Sequence, residues 1–224
     1  MAASTHLRLN PESVRTSRKL GFSAAVASTV FGALYLLGLT INLIRSGTAY
    51  SQAEPMQISA AVIAILWNIA LLILFASLRW NVAEEKEFLA ELGLVFMVIV
   101  CALSTVNWFA QLVVVPNAVR LGDATLLRLL DINSQLSIMY AMEHLGWGIF
   151  FGLATLCMAF AFSGRGVEMG LRILLAACGL LSLLHVLGVV IFSPAFYSLG
   201  YIAWGLLLPA ASLLLAVWFR QRAG

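Results

Sequence analysis

The chain has 224 residues and a formal net charge of +3; 62% of it is hydrophobic and only 10% is Asp, Glu, Lys or Arg, against roughly 25% charged in an ordinary soluble domain. Most of it therefore cannot face water. The basic side chains lie near the ends of apolar runs, where they report topology and headgroup contact, which excludes a nucleic-acid partner.

In lipid every backbone amide must be paired within its own segment or a closed barrel. Long apolar runs joined by short links thus predict an all-α, polytopic bundle of six transmembrane helices, with the bilayer as its main partner. Residues 1–19 read as a cytosolic polar tail containing Arg8, Arg15, Arg18 and Lys19. The apolar run that follows is too long for a signal-peptide core, so it stays as an anchor. A span needs about 20 apolar residues, and the runs 20–44, 57–78, 92–115, 138–162, 170–192 and 196–218 meet that length. Residues 20–219 read as one transmembrane domain and 220–224 as a cytosolic C-terminal tail.

A cytosolic N-terminus puts Arg8, Arg15, Arg18, Lys19, Arg79, Lys86, Arg165, Arg172, Arg220 and Arg222 inside, against Arg45, Arg120 and Arg128 outside. The positive-inside rule then places both termini in the cytosol. Trp80 and Trp218 fall at the inner interface, where aromatic belts form.

Ala24, Ser28 and Gly32 in the first span, and Gly148 with Gly152 in the fourth, supply the small residues that let helix backbones approach. Tyr35–Ile41 and His185–Ile191 echo one another, as a parallel repeat would. Asn68, alone in the second span, reads as interhelical glue, and the charge run Glu84–Glu87 as a solvated loop. Cys101, Cys157 and Cys178 lie in different apolar runs without metal or redox spacing and read as small core residues. In the link 116–137, Leu126, Leu127, Leu129, Leu130 and Ile132 oppose Arg120, Asp123, Arg128 and Asp131. That pattern predicts an amphipathic helix on the outer surface, or a short helix capping the bundle.

Ionisable groups within hydrocarbon are functional-site candidates by default. Glu143 and His144 enter the fourth span, and His185 nears the end of the fifth, at about 9 to 11 Å from the outer ends. Ser104, Asn107 and Gln111 share one face of the third span. Tyr140, Trp147, Tyr197, Tyr201, Trp204 and Asn42 fall in the same outer half. The expectation is an outer-half polar pocket lined by Asn107, Gln111, Tyr140, Glu143, His144, His185 and Tyr201. It would take a small molecule or a lipid headgroup, with Glu143 and His185 as a titratable pair.

Three other readings stand beside this one. Asn, Gln, Tyr and His serve as hydrogen-bond glue between helices, each worth roughly 0.6 to 2 kcal/mol; Glu143 is then protonated or paired with His185. His144 and His185 could be axial ligands of a haem, although no cofactor is predicted outright. Glu143 with either histidine could do acid–base chemistry. No catalytic residue is assigned, because the chain has no G-x-S-x-G, no H-E-x-x-H and no intramembrane aspartate pair. A catalytic zinc would want three good ligands and an open position.

Arg18-Lys19-Leu20-Gly21 at the first span, Trp204-Gly205-Leu206-Leu207-Leu208-Pro209 in the last, and the closing Trp218-Phe219-Arg220 give a pattern that resembles uncharacterised bacterial six-helix membrane proteins of about this length. The resemblance implies a bacterial plasma-membrane location and carries no residue roles.

Overall fold

The computed structural model describes residues 11–46, 54–132 and 134–222. Most of the expected N-terminal tail, with Arg8, lies outside the described residues, as do the last two residues of the C-terminal tail.

Among the described residues the chain is helical and contains no strand. Its seven helices are α1 (Pro11–Ser46), α2 (Glu54–Arg79), α3 (Glu87–Leu121), α4 (Ala124–Leu130), α5 (Ile138–Ala161), α6 (Val167–Val190) and α7 (Pro194–Gln221). All but α4 are long and apolar enough to cross a membrane, and the protein is a multi-pass membrane protein. α1 and α3, of 36 and 35 residues, run about 50 Å at 1.5 Å per residue, longer than the roughly 30 Å hydrocarbon core. Residues 11–19, read as tail, are the first turns of α1, because a helix nucleated in lipid propagates cheaply into water.

Capping residues set the boundaries around α4. Gly122 ends α3 in the left-handed conformation (φ 66°), and its N–H returns to the Ala118 and Val119 carbonyls, which suits a residue without Cβ. Asp123 then caps α4 by accepting from Leu126 N at 2.9 Å, and Ser137 caps α5 by accepting from Tyr140 N at 3.0 Å.

The six long helices form a closed ring of neighbours, α1 against α2, α2 against α3, α3 against α5, α5 against α6, α6 against α7, and α7 back against α1. Short connections make consecutive members antiparallel, so the start of α1 and the end of α7 lie at one end of the ring. Leu71, Phe75, Met97, Phe151, Met158 and Phe219 fill the core, while Val30, Leu34, Leu37, Val95, Phe109 and Leu180 stand exposed on the rim as a lipid-facing surface requires. The small residues act as read. Ser28 is wholly buried, a Cβ on Gly32 would meet Pro209 and Trp67, and Gly152 and Gly179 sit against each other's carbonyls between α5 and α6. Asn68 donates to Thr105 Oγ1 at 3.2 Å, joining α2 to α3.

At the end carrying the termini, one polar cluster ties four helix ends together. Arg18 donates to Asn81 Oδ1 (3.1 Å) and to the Arg222 carbonyl; Arg222 donates to the Asn81 carbonyl (2.6 Å) and pairs with Glu168 (2.6 Å). Glu168 also accepts from Gly164 N at 2.7 Å and Trp218 Nε1 at 3.0 Å. Trp218 is consequently buried, at 2% exposure, between this cluster and Phe162, whereas Trp80 is exposed with Arg79 over its ring. Only Trp80 has the exposure of an aromatic-belt residue.

Candidate functional site

The opposite half of the ring, away from the chain ends, holds the residues singled out from the sequence. Two of its helices are not regular there. α5 passes through a π-helical turn at Leu145–Phe150 and α7 through another at Ile202–Leu207. Such turns are rare and concentrate at functional sites. The second has a sequence cause: Pro209 has no N–H for the Gly205 carbonyl and its ring would press on that group, so the ladder slackens just before it. Gly148 lies within the first, where a Cβ would fall 2.2 Å from Val186 Cγ2 of α6.

The π-turns bring Trp147 of α5 and Trp204 of α7 together, ring centroids 5.9 Å apart. Trp204 Nε1 reaches the Trp147 carbonyl at 3.1 Å and Ser182 Oγ of α6 at 3.0 Å. From Trp147 an aromatic chain runs to Trp67 (5.6 Å), then Tyr35 (5.8 Å), then Trp108 (5.8 Å). These rings, together with Tyr201 and Glu143, wall a small cavity of about 30 Å³, with Leu36, Leu39, Ala64 and Gly205 completing its lining; that is room for about two waters or one small polar group.

Glu143 and His144 are adjacent, so the helix turns them about 100° apart, and they meet different neighbours. Glu143 faces α3, where Asn107 Nδ2 donates to its Oε2 at 2.6 Å and the Trp108 side chain also bonds it. Gln111 stands behind Asn107, 3.4 Å from its Oδ1, and donates to the Leu130 carbonyl at 2.7 Å, pinning the end of α4 over the bundle. His144 faces α6, where its Nδ1 lies 2.9 Å from His185 Nε2. His185 Nδ1 in turn lies 2.6 Å from the Tyr197 carbonyl. A carbonyl only accepts, so His185 carries its proton on Nδ1, its Nε2 accepts, and His144 donates from Nδ1.

Close backbone approach makes that chain. A Cβ on Gly188 would fall 2.2 Å from Tyr197 N, so only glycine lets the first turn of α7 rest on α6. Tyr140 and Tyr197 pack on the His144 ring at 4.1 and 5.5 Å. With Glu143, Tyr201 and Trp204 they border a second, smaller cavity next to the first.

The seven expected residues therefore fall in one region, but not in one polar pocket. Glu143 and Tyr201 border both cavities, Tyr140 and His144 the smaller one, and Asn107, Gln111 and His185 stand behind that wall as support. The larger cavity is aromatic. The expected Glu143–His185 pair is not formed, because His185 spends both nitrogens on His144 and Tyr197 while Glu143 turns to Asn107. Asn42 is buried but borders neither cavity. Tyr35, Trp67 and Trp108 were not anticipated. The available signal was their depth, since tryptophan favours membrane interfaces and both indoles sit inside their spans.

Two nitrogens hydrogen-bonded at 2.9 Å cannot stand on opposite faces of one iron with a porphyrin between them, so this arrangement does not fit axial haem ligation. Among the described residues no three His, Cys, Asp or Glu side chains converge. No protein-family model, curated protein or solved structure matches the chain.

Proposed function

We propose that this is a plasma-membrane protein with both termini cytosolic, which binds or transports a small organic molecule or lipid headgroup through the aromatic cavity beside Glu143. The distal half of the ring is then the outer half, since the basic side chains gather at the other end. The observation that carries the reading is a carboxyl group on the wall of a small, otherwise apolar and mainly aromatic cavity beside two π-helical turns. Ionisable groups at membrane depth are costly, and packing by itself has no use for one there.

The test is native mass spectrometry of the protein extracted gently from its own membrane. A stoichiometric adduct is expected on the native chain and should be missing from Glu143→Gln. A bare native chain would remove the case for tight binding and leave Asn107, Gln111 and His185 as interhelical glue.

A further inference from the structure

The cavity wall discriminates by charge. Four of its side chains are indoles, and their N–H groups are all committed elsewhere. Trp67 donates to Ser28 Oγ at 2.9 Å, Trp147 to Ser104 Oγ at 3.2 Å and Trp204 to Ser182 Oγ at 3.0 Å. The fourth, Trp108, bonds Glu143 itself. Serines on α1, α3 and α6 thus tether the rings, and what remains for an occupant is ring surface, the aliphatic Leu36, Leu39 and Ala64, the tyrosines Tyr35 and Tyr201, and one carboxyl group. Neither ion pair among the described residues engages Glu143, and no Arg or Lys borders the cavity.

Ring faces carry the negative part of the aromatic quadrupole and attract cations, and a carboxylate attracts them more strongly. An anion would meet repulsion from both, with no N–H donor and only the neutral hydroxyls of Tyr35 and Tyr201 to offset its desolvation. The mouth between α1 and α7 is edged by half-buried Leu36 and Leu39, next to the exposed Leu37 and Leu206 of the lipid-facing surface. An apolar tail can leave there.

We propose that the cavity binds an alkylammonium group, the cation held by Glu143 and the tethered indoles and the alkyl tail directed to lipid past Leu36. The proposal rests on the binding reading above and names its ligand class. A free alkylamine and the amine headgroup of a membrane lipid share this chemistry.

The full chain in dodecyl maltoside micelles, which bear neither charge nor amine, is titrated with hexylammonium, hexanol and hexanoate while tryptophan fluorescence is followed. Four of the six tryptophans wall the cavity, so occupancy is visible. Hexylammonium should bind saturably, hexanol at least about tenfold more weakly, which is 1.4 kcal/mol, and hexanoate not at all. Glu143→Gln should lose about tenfold or more for hexylammonium alone, with its thermal melt checked first. Trp204→Leu, which keeps the carboxyl group, should weaken hexylammonium more than hexanol. The comparison of the three ligands on the native chain needs no variant, so a misfolded variant does not spare the proposal. Equal binding of hexanol and hexylammonium to the native chain would overturn the cation inference and leave a neutral-ligand pocket standing. A flat response to all three, with a bare chain in the mass spectrum, would overturn both. Adding phosphatidylethanolamine distinguishes the sources: competition identifies a lipid headgroup, and unchanged hexylammonium affinity identifies a free amine.

Discussion

Replacing Gly188 by alanine should destabilise the bundle far more than the same change at Gly38, its counterpart in the Tyr35–Ile41 and His185–Ile191 echo. At Gly188 the added Cβ would stand 2.2 Å from Tyr197 N, 2.6 Å from Phe196 C and 2.8 Å from Tyr197 Cα. These are backbone atoms and cannot rotate aside, so the first turn of α7 must retreat by roughly 1 Å to reach van der Waals distance. That retreat stretches the 2.6 Å contact between His185 Nδ1 and the Tyr197 carbonyl beyond hydrogen-bonding range. Overpacking costs about 1 to 3 kcal/mol and the lost bond about 0.5 to 1.5 kcal/mol, so the sum is about 1.5 to 4.5 kcal/mol. At Gly38 nothing lies within 4 Å, and alanine is the better helix former by about 0.8 to 1 kcal/mol, so that variant should equal or exceed the native stability. Dodecyl-sulfate unfolding in mixed micelles, followed by circular dichroism, compares the three proteins. A Gly188→Ala protein within about 0.5 kcal/mol of native would mean that α7 does not rest on α6 as described, and the histidine chain would lose its anchor.

The order of protons along that chain is also measurable. Nitrogen-15 spectra of histidine-labelled protein should show both His144 and His185 protonated on Nδ1; a ring with its proton on Nε2 alone would contradict the donor order. At the other end of the bundle, Glu168→Gln keeps the shape of the Arg222–Glu168–Trp218 cluster but removes its charge. The pair is partly exposed, at 38% and 18%, so screening moderates its worth and the loss should be about 1 to 2 kcal/mol. The loss should shrink in high salt; an equal loss at low and high salt would argue that Glu168 acts through packing rather than charge.

Neighbouring residues on one helix illustrate what could be read in advance. The depth of Glu143, His144 and His185 follows from counting 1.5 Å per residue from the span ends, and the structure puts all three in one layer. Their partners do not follow from depth. Adjacent positions point about 100° apart, so Glu143 and His144 had to serve different helices, but which helix each meets depends on how α5 is rotated in the ring. The π-turn at Leu145–Phe150 alters that rotation for everything beyond it. Pro209 signalled an irregularity in α7; no comparable mark announced the one in α5. The serines that tether Trp67 and Trp204 come from the helix preceding each in the chain, but a lone serine in an apolar run carries no sign of its partner.

Six spans were determined by the sequence alone, because in lipid each helix must satisfy its own backbone whatever surrounds it, and hydropathy is therefore a sum over one segment. The aromatic cavity, the tethered indoles and the pairing of His185 with His144 instead of Glu143 were decided only in the tertiary structure. Each depends on the angle and closeness at which separate helices meet, and those are set by glycine contacts, π-turns and side-chain packing acting together.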